Sequence, residues 1–147
     1  MAPETLIGTG FLAFSVMMTL GRFLGDSISA AIGPIKIVAL GAAIAILGFV
    51  FVLTTYTYMA IVGFALTGLG FSVIVPELFT IGGTVKGVDS SQGVSFIAGT
   101  GYSGFLIGPV VLGFVAESFS LKYTFVILMI CTIVVLGATL RLHKRGK

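Results

Sequence analysis

Ile37-Val-Ala-Leu-Gly-Ala-Ala-Ile-Ala-Ile-Leu-Gly-Phe-Val-Phe-Val-Leu53 contains no side chain that can donate or accept a hydrogen bond. A helix of these residues satisfies its backbone polar groups internally and offers only hydrocarbon to its surroundings, as a bilayer demands of a spanning segment. With Ile35 and Lys36 ahead of it, the segment approaches the roughly 20 residues needed to cross a hydrocarbon layer about 30 Å thick. Four similar runs flank it: Leu6–Leu24, Tyr58–Thr80, Val94–Val115 and Tyr123–Leu140. Of the 147 residues, 57% are hydrophobic and 9% charged, and the mean hydropathy is +1.20. A single soluble core of this size cannot hide so much apolar surface. The expected fold is all-α and integral to the membrane: a five-transmembrane-helix bundle in one domain, residues 1–147, with spans near 5–25, 35–53, 57–80, 92–116 and 121–141. The runs lack the alternation of a β-barrel strand.

Charge placement sets an expected topology. Short loops alternate between the two sides of a membrane, so Arg22, Lys36, Lys86, Arg141, Lys144, Arg145 and Lys147 fall on one side and Lys122 on the other. The positive-inside rule then puts the N-terminus outside and the C-terminus in the cytoplasm of a cell (inner) membrane. The basic tail reads as a topology anchor rather than a nucleic-acid arm. No nucleic acid is expected as a partner.

Little here supports catalysis. Cys131 and His143 are each alone, which leaves no metal-ligand set and no disulfide. No carboxylate lies centrally in a span and no Ser–His pair shares one depth, so no enzyme, metal or cofactor is expected. Glu4 is the first charge, whereas a secretory signal opens on a basic region. Ser29-Ala30-Ala31 has the small residues of a cleavage site, but charged Arg22 and Asp26 precede it and four spans follow. Because a span begins almost at Met1, the chain reads as a piece of a longer membrane protein.

The loops are short, which makes neighbouring helices antiparallel. Thr54-Thr55-Tyr56-Thr57 joins the second and third spans, with tyrosines at the depth of an interfacial aromatic belt. Gly82 to Ser91 joins the third and fourth, with Ser90 or Ser91 expected to cap the next helix. Glu117 to Lys122 joins the fourth and fifth.

Polarity separates the spans into two kinds. The second has no polar group, and the fifth has only small ones (Thr124, Cys131, Thr132 and Thr139), so both are expected to face lipid. The first carries Ser15, Thr19, Arg22 and Asp26 at helical spacing, the third Thr67, Gly70, Ile74 and Glu77, and the fourth Ser95, Gly99, Tyr102 and Ser103. Polar groups inside a membrane face the bundle interior or a water-filled path. Two readings fit each stripe: a solute path, or hydroxyls that bond their own helix beside small residues that allow tight packing. Phe11, Phe71 and Tyr102 offer rings that either stack on a sugar or fill the bundle. Gly104 and Gly108 are spaced for close helix approach. Pro76 removes a donor from the carbonyl of Ser72, and Pro109 from that of Phe105, so both helices are expected to bend. Glu77 follows Pro76 about one turn from the cytoplasmic end of its span. It reads either as an interfacial carboxylate or as a proton or substrate site, since a desolvated carboxyl favours its neutral form.

The stretch from Gly21 to Lys36 is the most specific. Gly21, Arg22, Gly25, Asp26, Gly33 and Lys36 resemble the cytoplasmic loop motif of the major facilitator superfamily, in the copy between that family's eighth and ninth helices. It departs where further arginines follow the aspartate in the family: Ser27 and Ala31 stand there. Gly104–Gly113 is similar to the family's eleventh helix in its sugar-permease-like and multidrug-like branches, and Gly70–Phe79 to its tenth. The resemblance covers the whole chain, as the truncated C-terminal half of the fold. It implies a carrier without cofactor, whose eighth, tenth and eleventh helices line a cavity while the ninth and twelfth face lipid. It also implies that Arg22, Asp26, Gly33 and Lys36 act at the cytoplasmic gate.

Alternating access needs two halves, so three readings stand. The chain is the C-terminal part of a carrier for a small solute, with a coupling proton as an option and the N-terminal helices supplied elsewhere. Otherwise it is an inert remnant, or a small scaffold or partner subunit that binds another bundle.

Overall fold

The computed structural model describes residues 8–54 and 56–145. Met1, Glu4, Leu6, Thr55 and Lys147 lie outside the described residues. Five helices follow one another: α1 (Thr9–Ile32), α2 (Pro34–Val52), α3 (Thr57–Gly83), α4 (Ser90–Ser118) and α5 (Leu121–Arg145). Each is long and apolar enough to cross a membrane. No strand occurs among the described residues.

Local sequence explains where these helices stop. α1 continues beyond its apolar run because nothing from Gly25 to Ile32 breaks a helix, and it ends at Gly33. There φ is 90°, a left-handed value that glycine takes at no steric cost. The Gly33 N–H donates to the carbonyl of Ser29 at 2.8 Å, and Pro34 opens α2 at a position where its missing N–H costs nothing. α3 and α4 run unbroken through Pro76 and Pro109. The residue capping α4 is Asp89, not Ser90 or Ser91, and no side chain bonds that terminus. Gly87, with φ of 81°, turns the chain early enough for Ser90 to be already helical.

α3 stands at the centre. α1 and α2 both lie along it, α5 lies on α2, and α4 touches only α3 and α5. The core is Val38 and Ala42 of α2 against Ile74 of α3, covered by Phe71, Leu78, Ile81, Val135 and Leu136. Phe49 meets Phe71 edge-on with ring centroids 5.9 Å apart, and Phe64 meets Phe125 at 5.7 Å.

The α2–α3 seam is set by small residues. A Cβ on Gly48 would lie 2.7 Å from the carbonyl oxygen of Gly63, and one on Gly63 2.6 Å from that of Gly48. Gly41 and Gly70 face each other in the same way one pair further along. With side chains absent, the backbones close and dispersion contacts multiply, which is how helices associate where lipid is as apolar as leucine.

α2 therefore does not lie wholly in lipid. Ile37, Val38, Gly41, Ala42, Ala45, Gly48 and Phe49 are buried, and only the opposite face, with Leu40, Leu47 and Val50, is open. The open face suits the lipid contact its composition leads one to expect, while hydrocarbon and small residues on the other face serve a tight seam equally well. α5 is likewise two-faced: Thr124, Thr132 and Thr139 point inward while Ile133 and Val134 are exposed. Thr124 Oγ1 donates to the carbonyl of Leu112 at 3.3 Å, tying α5 to α4. Thr124→Val keeps shape and removes that bond, so unfolding in detergent should show a loss of about 0.6 kcal/mol.

Candidate functional site

A cleft of about 340 Å³ opens between α1 and α3, lined by Arg22, Gly25, Asp26, Ser72, Val73, Val75, Pro76 and Glu77. Glycines on α1 bring its walls together. A Cβ on Gly25 would lie 2.8 Å from Cγ1 of Val73, and one on Gly21 would collide with the Ser72 hydroxyl. The spacing Gly21, Gly25 thus turns a smooth face of α1 to α3, and Arg22 and Asp26, one residue on, flank the groove.

The polar groups of this cleft are unequal. Arg22 and Asp26 are exposed, whereas Glu77 is 6% exposed and its Oε2 is buried with no hydrogen-bond partner. Neither carboxylate forms an ion pair with Arg22. Ser72 is fully buried, and its hydroxyl donates to the carbonyl of Leu69. Glu77 is thus buried in the wall of the cleft rather than standing at an open surface. Two carboxylates against one guanidinium leave the cleft with an excess negative charge when all are ionised, and with more acceptors than donors.

The other anticipated residues fall elsewhere. Gly33 sits at the α1–α2 junction, and exposed Lys36 opens α2 outside this cleft. Ser15 and Thr19 line a second opening of about 370 Å³ on α1, with Met18, Arg22 and Phe23. Thr19 Oγ1 donates to the carbonyl of Ser15 at 2.9 Å. Phe11 is 75% exposed at the far end of α1. On α4, Ser95, Gly99, Tyr102 and Ser103 are all exposed, and Ser103 Oγ donates to the carbonyl of Gly99 at 2.8 Å. Tyr102 borders an apolar hollow of about 800 Å³ between α3 and α4, with Val75, Leu78, Phe79, Ile97 and Phe105. α1 and α4 do not touch, because α3 stands between them.

Two anticipated groups point into packing. Thr67 lies in the α2–α3 seam, 3% exposed, with its hydroxyl donating to the carbonyls of Gly63 and Phe64. Phe71 packs on the core. The α3 stripe is thus largely a packing face, drawn onto α2 by Gly41 and Gly48. A Cβ on Gly104 or Gly108 would meet nothing within 4 Å. Close approach is made instead by the glycines of the α2–α3 seam, by Gly68 against the Phe14 carbonyl, and by Gly82 against Gly93. Sequence reading used Ser72 only for its carbonyl. The signal that its side chain also belongs to the site was its position one turn before Pro76 and Glu77.

Comparison with known proteins agrees with this architecture. The sequence pattern of the Major Facilitator Superfamily matches residues 1–147. The chain is 32% identical over 145 residues to the membrane protein MosC of Rhizobium meliloti, covering 94% of this chain and 35% of MosC. It is 37% identical over 119 residues to an uncharacterised MFS-type transporter of Yersinia pestis, covering 80% of this chain and 31% of that protein. An uncharacterised transporter of Sinorhizobium fredii is 24% identical over 125 residues, with 84% and 33% covered. The chain spans about a third of the length of the curated relatives it matches. No solved structure matches it. This multi-pass membrane chain belongs to the Major Facilitator Superfamily.

Proposed function

We propose that the chain is the C-terminal part of a secondary transporter for a small solute, of the sugar-permease-like or multidrug-like kind. It would work by alternating access together with N-terminal helices that its longer relatives have room to hold. The observation that carries this reading is the cleft between α1 and α3, where the motif residues Arg22 and Asp26 meet the buried, unpartnered Glu77. Asp26 sits within α1's last two turns, where it can bond neighbouring helix termini in one state and release them in another. Gly33 and Lys36 complete the gate at the α1–α2 turn. Phe11, Ser15, Thr19, Ser95, Gly99, Tyr102 and Ser103, the exposed or half-buried positions anticipated on α1 and α4, would line the solute path.

The basic residues favour an inner-membrane orientation with the N-terminus outside and the C-terminus cytoplasmic. Transport, not catalysis, is the activity this arrangement supports. One observation favours the second reading, a scaffold or partner subunit: α4 buries no residue and keeps its glycine face open. Uptake of a solute panel into proteoliposomes tests the two. A twelve-helix form should take up at least one solute, and Asp26→Ala should abolish that uptake. Full uptake by Asp26→Ala would remove the gate from this site, and no uptake by any form would leave the inert remnant or the scaffold.

A further inference from the structure

Resting on the transport reading, in which the buried Glu77 belongs to the cleft, we propose that the α1–α3 cleft binds an alkali-metal cation, held by Glu77 and the backbone carbonyl of Ser72.

The ligand set points to a cation because the cleft holds more acceptors than donors. Glu77 is 6% exposed, and its Oε2 has no partner. Pro76 has no N–H to give to the carbonyl of Ser72, and both residues line the same cleft as Glu77. The Ser72 hydroxyl already donates its proton to the carbonyl of Leu69 and so has only lone pairs left to offer. Asp26 adds a second carboxylate on the α1 wall, and Arg22 pairs with neither acid. Oxygen ligands of this kind suit hard cations, and backbone carbonyls left without a helical donor inside a membrane are a recurring way to hold Na⁺. Charge fixes the valence. Two carboxylates less one guanidinium leave a single negative charge to balance, and no three His, Cys, Asp or Glu side chains cluster among the described residues as a divalent site would ask.

The test uses the 147-residue chain in detergent, unfolded thermally while helix content is followed, in NaCl, KCl or choline chloride at equal ionic strength. A saturable rise of about 4 °C over choline is expected in one alkali salt or both. That rise should vanish in Glu77→Gln, which keeps the side chain's size, and shrink in Pro76→Ala, which returns an N–H to the Ser72 carbonyl. Radiosodium binding to the folded variants gives a second readout where a variant's own stability changes. Equal midpoints in all three salts overturn the proposal, as does a rise that survives Glu77→Gln. A rise seen only in Arg22→Gln also overturns it, because the guanidinium would then be Glu77's partner. The assay needs no uptake, so an inactive carrier leaves a positive result standing, and absent binding leaves the transport reading to its own test.

Discussion

Gly41→Leu is expected to unfold α2 from α3, while Gly104→Leu leaves the chain as stable as before. A Cβ on Gly41 would sit 2.6 Å from the carbonyl oxygen of Gly70 and 2.7 Å from Cγ2 of Val73. The first neighbour is backbone of the facing helix and cannot rotate away, so α2 itself must retreat. That retreat opens the contact of Val38 and Ala42 with Ile74, the core of the molecule. Overpacking a well-filled core costs about 1–3 kcal/mol where side chains can adjust, and a leucine against backbone belongs at or above that upper end. Gly104 faces open space, so leucine there collides with nothing in this chain. Unfolding midpoints in detergent, read by helix content, check the pair. Similar losses at both positions would mean that the seam is not where the structure has it.

Glu77→Gln is the second large effect, and its sign differs between stability and transport. A buried acceptor without a partner costs about 1–3 kcal/mol, and more when it is charged. Replacing the acid in a salt that offers no alkali-metal cation should therefore stabilise the isolated chain. The same change should reduce uptake by a twelve-helix form to background, because glutamine can neither carry a proton nor balance a cation. Membrane proteins keep intramembrane carboxylates at such a cost for function. A variant that is destabilised yet transports normally would make Glu77 a structural group.

The fold class was legible because a bilayer sets one length and one polarity for every span, and five runs met both. The neighbourhood of Arg22, Asp26 and Glu77 was legible in part, through the Gly21-to-Lys36 motif and the one-turn spacing of Ser72, Pro76 and Glu77. What sequence did not give was the neighbour each face meets. Thr67, Gly70 and Ile74 do share one side of α3, as their spacing requires, but that side closes on α2. Periodicity states that residues lie together and says nothing of what lies opposite. Glycine spacing has the same blindness: Gly104 and Gly108 repeat like a packing motif and stay open, while Gly41, Gly48, Gly63 and Gly70, on two different helices, find each other. α2 shows the limit of polarity as a guide, since the helix most suited to lipid by composition forms one half of the core seam.

The central claim, that the open polar faces of α1 and α4 border a water-filled path, is tested most directly by thiol accessibility in a twelve-helix form lacking Cys131. Single cysteines at Ser15, Thr19, Gly99 and Ser103 should react with a membrane-impermeant reagent, and cysteines at Leu47 and Val50 on the open face of α2 should not. Protection of all four polar positions, or labelling no greater than at Leu47 and Val50, would contradict the path and with it the carrier.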